Sequence, residues 1–556
     1  MVTRALALLL FIALVCAYED APFVVTPLGS VVGYYKTSYK GRRYEVYEGI
    51  PYAEPPVNQS RFEEAVPFST PWGQLDARKA KSPCAQYVDV PADENGQTVT
   101  EGRVNGEDDC LYLNINVPVV ARYRPRGMPV VFFIHGGSFQ YGSGSSFAEN
   151  NIYMMDRDVV FVSINYRLGV QGFLSTEDEV LPGNLGLKDQ SLALQWTADN
   201  IGHFGGDPRK ITLVGFSAGG SSVQYHYLSP RSRGLFHSGV AISGAVFNPW
   251  GFTTHAAEKA RKLGAIFNCP THDSRPMVDC LKKVPAQDLA AATKHFQYWQ
   301  YMPEAPFAPV VETSGPRPFI DKSPEDVAEA GELYDVPIVF SIVSEEGCDP
   351  GSAYAPHDNL LKQLNDNWTE IAPHLLEYNY TLPEEVHERV ALAARRKYFG
   401  DGGIDNNSTR ILIRLLTDEQ YSIGIEKSLR VQAEESTSPV YFYYYSYRGS
   451  SSRSEHLSHT KNNYGVCHCD DVLMVVDNSQ PGNKTKEELA MIDLLLDVWE
   501  TVAKDGVPKL GVEWRPVNTS NPEIEYMHIR GPKDYGMSGS DNFGNKYFWN
   551  EFFDLF

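Results

Sequence analysis

Gly215-Phe216-Ser217-Ala218-Gly219 follows the apolar run 211–214 and precedes residues 220–225, whose composition suits a helix. A short apolar run that passes through Gly-x-Ser-x-Gly into a helix is the sequence context of a nucleophile elbow. The glycines permit a tight turn, and the turn places the Ser217 hydroxyl at the helix N-terminus, where the helix dipole favours negative charge. Because Gly-x-Ser-x-Gly also occurs by chance in long chains, the surrounding sequence decides its meaning.

The rest of the chain predicts the sheet to which this turn belongs. Unbroken apolar runs are typical of buried parallel strands, and a helical pattern at 187–200 lies between two of them. This alternation predicts an α/β fold with a large, mostly parallel central sheet and helices on both faces. No linker or repeat interrupts the 556 residues, so we expect one domain over 18–556. The predicted strands are 128–134, 159–164, 211–214, 240–243, 337–343 and 440–445.

Active sites in such sheets lie beyond the carboxyl ends of the strands. Directly after the run 128–134 comes His135-Gly136-Gly137-Ser138-Phe139. Its paired glycines would let backbone N–H groups of Gly136 and Gly137 face a reacting carbonyl oxygen and, with the Ala218 N–H, form a three-donor oxyanion hole. The alternative is an ordinary glycine turn.

An acid and a histidine follow later strands. Glu345-Glu346-Gly347 comes after the run 337–343, and His468 lies in a polar segment beyond 440–445. The order serine, acid, histidine is the α/β-hydrolase order. A buried, hydrogen-bonded structural histidine is the alternative for His468. Cys467 and Cys469 beside it do not predict a metal site, because three consecutive residues cannot easily converge on one tetrahedral ion. We therefore predict neither metal nor cofactor.

Residues 1–17 resemble a secretory leader, with Arg4 before an apolar run and a small-residue cleavage site. The run is too short to span a bilayer, so we expect a secreted, extracellular protein without a membrane anchor. Secretion permits disulfides, and seven cysteines remain outside the leader, so at least one is unpaired within the chain. We expect the bridges Cys84–Cys110 and Cys269–Cys280, which leaves Cys348, Cys467 and Cys469.

Charge and glycosylation motifs agree with an extracellular enzyme. The formal net charge of −21 argues against a nucleic-acid partner, since such partners require a basic face. Asn-x-Ser/Thr acceptors predict a glycoprotein. The sequence does not indicate an oligomeric state. The acceptor asparagines are Asn58, Asn367, Asn379, Asn406, Asn407, Asn483 and Asn518.

Several longer motifs, in order, resemble the type-B carboxylesterase and cholinesterase family from about Val25 to Phe556. They include Glu48-Gly49-Ile50-Pro51-Tyr52-Ala53, Glu107-Asp108-Asp109-Cys110-Leu111 and Asn200-Ile201 through Phe204-Gly205-Gly206-Asp207-Pro208. The resemblance implies the α/β-hydrolase fold, with Ser217 as nucleophile, Glu346 as the acid and His468 as general base. Glu346 is preferred over Glu345 because it directly precedes the glycine. The resemblance also implies that Ser243 supports the triad and that both predicted bridges form.

Departures from the family pattern narrow the expected activity. Phe216 stands where cholinesterases carry Glu, and the segment between Cys84 and Cys110 lacks the Trp that would bind quaternary ammonium. The nearest resemblance is to secreted insect carboxylesterases, including those of venom. It implies hydrolysis of a small-molecule carboxylic ester through an acyl-enzyme. One alternative is an esterase that degrades juvenile hormone, a pheromone or an odorant, and Phe216 counts against the juvenile-hormone case. The other is a non-catalytic adhesion or binding protein on the same fold.

Overall fold

The structure is a computed structural model that describes residues 21–88, 102–145, 150–476 and 484–553. The predicted leader and Asn483 lie outside the described residues. Strands within them are β1 Phe23–Thr26, β2 Gly29–Val32, β3 Tyr34–Thr37, β4 Arg43–Pro51, β5 Gly73–Asp76, β6 Gln86–Val88, β7 Arg103–Asn105, β8 Tyr112–Pro118, β9 Met128–Ile134, β10 Val160–Ile164, β11 Gly206–Phe216, β12 Ser238–Ile242, β13 Ile338–Val343, β14 Val440–Tyr445, β15 Ile524–Gly531 and β16 Asp534–Ser540.

Eleven of these strands form one sheet, in the order β16-β15-β14-β13-β12-β11-β9-β10-β8-β4-β3. The seven neighbouring strands from β15 to β10 in this order pair in parallel. On one side β16 pairs antiparallel with β15, and on the other side β8, β4 and β3 add antiparallel pairs. Apolar runs supply the parallel strands because these are covered on both faces. The predicted α/β-hydrolase architecture is confirmed.

Side-chain alternation along the central strands divides the core into two layers. Leu213 of β11 packs in the layer with the helix Ala218–Leu228, whereas its neighbour Val214 packs in the layer with the helix Lys486–Asp505. In the second layer, the ring centroids of Phe133 and Trp499 lie 6.1 Å apart. Because the central strands are parallel, their carboxyl ends lie at one edge of the covered sheet.

Further helices cover that edge and the flanks of the sheet. A third apolar cluster, which includes Tyr354 and Trp549, lies among the helices between residues 348 and 417 and packs against the last helix. The helices are Gly169–Phe173, Leu185–Asn200, Ala218–Leu228, Ala256–Ile266, Ser274–Leu281, Ala286–Ala291, Pro324–Glu329, Cys348–Tyr354, Asp358–Asp366, Trp368–Leu375, Glu384–Phe399, Thr409–Thr417, Ile423–Glu435, Arg453–Ser458, Asp470–Val476, Lys486–Asp505 and Lys546–Phe553, with a π-helix at Asp418–Ser422. No helix of the described residues has both the length and the apolar character that a membrane crossing needs.

Both predicted disulfides form, Cys84–Cys110 and Cys269–Cys280. The first closes a loop beside the end of β10, where the side-chain amide of Asn165 donates to the carbonyl of Cys110 at 3.1 Å. The remaining thiols of the described residues, Cys348, Cys467 and Cys469, are free and buried.

Candidate active site

Ser217 lies in the sharp turn between β11 and the helix Ala218–Leu228. Its backbone has φ 57° and ψ −128°, a strained conformation for a residue with a side chain. A hydrogen bond from its N–H to the carbonyl of Ile242, at 2.7 Å, holds it there. A Cβ atom on Gly215 would lie 2.3 Å from the Gly219 carbonyl oxygen, and one on Gly219 would lie 2.1 Å from that of Ile134. Both glycines are therefore required by the close approach of backbone atoms.

The loop 135–140, which we call the oxyanion loop, packs directly on this turn. A Cβ atom on Gly136 would lie 2.7 Å from the carbonyl oxygen of Phe216 and 2.8 Å from Cβ of Ser217. Ala218 is the first residue of its helix, so its N–H has no partner within the helix. The three predicted donors, Gly136, Gly137 and Ala218, thus lie on the two segments that meet at Ser217.

His135, at the start of the oxyanion loop, is a structural residue. Its ring stacks on Tyr166 with centroids 4.4 Å apart, and its Nδ1 lies 2.8 Å from the carbonyl oxygen of Gly136. Burial lowers the pKa of His135 to about 4, so the ring is neutral at physiological pH. The ring therefore serves to fix the loop at the end of β9.

Glu346 and His468 form a buried pair. Oε2 of Glu346 lies 2.6 Å from Nδ1 of His468, and the two side chains are 0% and 6% exposed. The other carboxylate oxygen accepts a hydrogen bond from the N–H of Val343 at 2.8 Å. The ring of Tyr421 packs beside the imidazole, with centroids 4.8 Å apart. Because Nδ1 is occupied by the carboxylate, Nε2 is the nitrogen available to a substrate or nucleophile.

Glu345 has a different role from that of its neighbour. Its N–H donates to the carbonyl of Val466 at 3.1 Å, and its Oε2 accepts from the N–H of Val466 at 2.8 Å. These two bonds pair the backbone that carries Glu346 with the backbone that carries His468. The pairing fixes the separation of the acid and the imidazole.

The charge state of His468 depends on its neighbours. Burial lowers the pKa of His468, but the Glu346 carboxylate raises it through its charge and its hydrogen bond to Nδ1, and the net pKa lies well above the usual value. The carboxylate therefore stabilises the imidazolium form that arises when the ring accepts a proton.

Ser217 and His468 line one cavity of about 180 Å³ at the carboxyl ends of the strands. Gly136 and Gly137 line it as well, so the predicted oxyanion loop, serine and histidine meet at one place. The remaining lining combines polar, charged and apolar residues. It comprises Ser138, Tyr141, Gly142, Phe216, Glu304, Asp349, Arg453, Cys469 and Leu473.

Three charged residues of this lining were missed by sequence reasoning. Nε of Arg453 lies 2.6 Å from Oδ2 of Asp349, so these two form an ion pair. Glu304 accepts a hydrogen bond from the Ser138 hydroxyl at 3.0 Å. Each comes from a loop or short helix far from the others in sequence, and no motif marks it. Only the fold brings them together.

Ser243, the predicted supporting serine, lies just beyond β12 with φ 49°. Its N–H donates to the carbonyl of Ser341 at 3.0 Å, while its buried hydroxyl has no hydrogen-bond partner among the described residues. A Cβ atom on the next residue, Gly244, would lie 2.0 Å from the carbonyl oxygen of Ser217. Ser243 therefore lies directly behind the turn.

The acceptor asparagines that the structure describes lie away from the cavity. Asn379 is half-buried, and the others are exposed, as transfer of a glycan requires. The exposed ones are Asn58, Asn367, Asn406, Asn407 and Asn518.

A strained serine at a strand–helix turn, beside a paired glutamate and histidine on a mostly parallel sheet, defines the class of α/β-hydrolases with a serine-type site. The sequence model of the carboxylesterase family matches residues 20–543. The chain belongs to this family and is a carboxylic-ester hydrolase.

Similar proteins align with this chain over nearly its whole length. Venom carboxylesterase-6 of Apis mellifera is 46% identical over 534 residues, which cover 96% of this chain and 94% of that protein. A carboxylic ester hydrolase of Bombus ignitus is 44% identical and covers 98% of this chain and 97% of its own length. Juvenile hormone esterase from Manduca sexta, solved with OTFP covalently attached, superposes with a TM-score of 0.81 at 26% identity, over 96% of this chain and 100% of that one.

Proposed function

We propose that the chain hydrolyses its ester through an acyl-enzyme, with Ser217 as nucleophile, His468 as general base and Glu346 as the orienting acid. One observation carries the proposal. The carboxylate of Glu346 lies 2.6 Å from Nδ1 of His468, and the imidazole lines the same cavity as Ser217. This arrangement leaves Nε2 to accept the serine proton. The covalently attached OTFP on the Manduca sexta enzyme supports a covalent mechanism on this fold.

The reaction then runs in two halves. His468 takes the proton of Ser217, the serine oxygen attacks the ester carbonyl, and the developing oxyanion accepts hydrogen bonds from the N–H groups of Gly136, Gly137 and Ala218. The imidazolium returns the proton to the leaving alcohol. A water molecule, deprotonated by the same imidazole, releases the carboxylate. Glu346 stabilises the imidazolium without itself taking the proton.

Ser217→Ala tests the nucleophile assignment. We expect it to lower ester turnover by about three orders of magnitude or more with an unchanged melting temperature, and to abolish labelling by an organophosphate. Ser221→Ala is the matched control, because Ser221 lies one turn along the same helix, is buried, and its hydroxyl has no hydrogen-bond partner among the described residues. Activity retained by Ser217→Ala would refute the assignment.

The cavity favours small, polar esters. Its volume of about 180 Å³ is small, and Glu304, Asp349 and Arg453 place three charged groups on its wall. A long hydrocarbon acyl chain would cover those groups without hydrogen-bonding them. A panel of esters that varies acyl length and polarity tests this preference. Higher turnover of long-chain acyl esters than of short polar ones would contradict it.

Hydrolysis of juvenile hormone is the second candidate, favoured by the fold match to the Manduca sexta enzyme. Its substrate would have to extend outside the small cavity. Direct comparison of juvenile hormone with short esters in the same panel separates the two candidates.

We also infer that the protein is one secreted, glycosylated domain that acts without metal, cofactor or nucleic-acid partner. Two disulfides, exposed acceptor asparagines and the similarity to a venom protein support secretion. Mass spectrometry of protein from the culture medium of an insect-cell host tests it. We expect a mature N-terminus after residue 17 and a mass that falls on enzymatic removal of N-linked glycans.

A further inference from the structure

The oxyanion loop holds an unfavourable backbone conformation at its centre. Gly137, Ser138 and Phe139 have φ values of 108°, 53° and 59°, so three consecutive residues lie in the left-handed region. Residues with side chains rarely adopt this conformation, and it persists only where the surrounding structure enforces it. Two of the three N–H groups proposed for the oxyanion hole, those of Gly136 and Gly137, belong to the residues just before and at the start of this strained stretch.

Segment 304–307 contacts the loop at two points. The Ser138 hydroxyl donates to Oε2 of Glu304 at 3.0 Å. The side-chain amide of Gln140 donates to the carbonyl of Phe307 at 2.6 Å and to that of Ser138 at 3.1 Å. Segment 304–307 therefore holds the strained loop from the side of the cavity.

Two buried side chains of the protein interior, those of Glu377 and Lys259, hold the backbone of segment 304–307 by hydrogen bonds. Oε1 of Glu377 accepts a hydrogen bond from the N–H of Glu304 at 2.6 Å. The ammonium of Lys259 donates to the carbonyl of Pro306 at 2.8 Å and lies over the ring of Tyr380, 3.4 Å from its centroid. Glu377 and Lys259 are only 3% and 6% exposed. Glu304 is thus attached to a rigid interior and reaches from it to the loop.

We propose that Glu304 is a positioning residue, which holds the N–H groups of Gly136 and Gly137 in register with the Ser217 oxygen through its hydrogen bond to Ser138. The inference rests on the proposed function. Donors of an oxyanion hole lower the barrier because they are already oriented when charge develops on the carbonyl oxygen. A loop that relaxed toward ordinary backbone angles would have to be reordered in each turnover.

The local electrostatics fit a hydrogen-bond acceptor at this place. Burial and the nearby Asp349 carboxylate raise the pKa of Glu304 to about 7, while the Ser138 hydroxyl and His468 oppose that rise. Whether ionised or neutral, the side chain keeps an oxygen that can accept from Ser138. The isosteric glutamine keeps one as well, which provides a conservative variant.

A double-mutant cycle tests the proposal. Glu304→Ala and Ser138→Ala should each lower kcat about tenfold to a hundredfold, the scale expected for misplaced catalytic groups, with KM within threefold of the wild type. Because both substitutions remove the same hydrogen bond, the one between Ser138 and Glu304, the double variant should be no slower than the slower single variant. Glu304→Gln should restore most of the lost kcat. Ser138→Ala removes a single atom and provides a folded variant if Glu304→Ala does not fold.

A trifluoromethyl ketone provides the second measurement. The serine oxygen adds to the carbonyl carbon of the free ketone, the π electrons of the C=O bond move to the oxygen and the serine proton passes to His468. The product is a tetrahedral oxyanion, so the affinity of the inhibitor should fall in parallel with kcat in both single variants. Glu45→Gln is the matched control, since it changes a buried carboxylate that pairs with Arg122 and contacts neither the loop nor the cavity. In that variant the ratio of inhibitor affinity to KM should stay unchanged.

Two results would overturn the proposal. Additive losses in the double variant would show that Glu304 and Ser138 act separately. A change confined to KM, with a dependence on the acyl group, would make Glu304 a substrate-binding residue. Failure of the proposed function is a separate outcome, because it would appear as activity in Ser217→Ala whatever the behaviour of the Glu304 variants.

Discussion

The carboxylate of Glu346 lies 2.6 Å from Nδ1 of His468, while the carboxylate of the preceding residue, Glu345, accepts from the backbone of Val466. Two adjacent glutamates thus take different roles, one toward the imidazole and one toward the chain that carries it. Their side chains provide a test that compares equal chemical changes at neighbouring positions.

Glu346→Gln should lower kcat by about three to four orders of magnitude, because an amide neither fixes the required tautomer nor stabilises the imidazolium. Glu345→Gln is the matched control and should lose less than about tenfold, since the amide oxygen can still accept from Val466. Steady-state kinetics on a chromogenic acetate ester measures both. Equal losses in the two variants would contradict the assignment of the acid.

The rate should fall as the pH is lowered through the pKa of His468. In the proposed mechanism the neutral imidazole accepts the serine proton, so protonation removes the base. Because that pKa is raised above the usual value of 6.5, the acid limb of the kcat/KM profile should have its midpoint above that pH. In Glu346→Gln the residual activity should show its midpoint at lower pH. A rate that stays flat down to pH 4.5 would exclude a histidine base.

Gly219→Ala should be strongly destabilising. The added Cβ would lie 2.1 Å from the carbonyl oxygen of Ile134, and backbone atoms cannot move as a flexible side chain can. We expect a loss of about 2 kcal/mol or more in the free energy of unfolding, together with loss of activity. Gly202→Ala is the matched control, because a Cβ there meets nothing within 4 Å. Urea titration of both variants gives the comparison, and equal midpoints would contradict the packing argument.

The three free thiols of the described residues should be inert in the folded protein. Cys348 and Cys467 are 0% exposed and Cys469 is 3% exposed. Burial also raises the pKa of Cys467 and of Cys469, so the reactive thiolate is scarce near pH 7.5. Iodoacetamide should leave the native activity unchanged and should modify three cysteines only after unfolding without reductant. Inactivation that follows alkylation of Cys469 would show that this thiol is accessible.

The sequence predicts the centre of the fold well because its parallel strands are apolar on both faces. The observed bounds of β9 and β14 coincide with the predicted ones. The strand at the elbow is longer than predicted and begins at Gly206, because its first residues are polar and a register shift separates Gly206 from Ile211. The strands β3, β4, β8, β15 and β16 were not predicted, because polar or charged residues interrupt the apolar run in each of them.

The candidate site, like the fold, could be predicted from the sequence only in part. Ser217, the glycines of the oxyanion loop and the acid each stand in a local motif at a strand end, so the sequence places them. Glu304, Asp349 and Arg453 stand in no motif, and their approach depends on how long connections pack over the sheet. Of the aromatic residues near these motifs, Phe216 lines the cavity, whereas Phe139 packs on Phe173 with centroids 4.9 Å apart.

The pairing of Glu345 with Val466 has an evolutionary consequence. It joins the acid-bearing and base-bearing stretches just before His468, so the polar excursion between β14 and residue 464 contributes little to their spacing. A change of length in that excursion, outside the helix Arg453–Ser458, would therefore preserve the distance between carboxylate and imidazole. Descendants of one ancestral hydrolase could in this way diversify the mouth of the cavity and leave the chemistry inside it untouched.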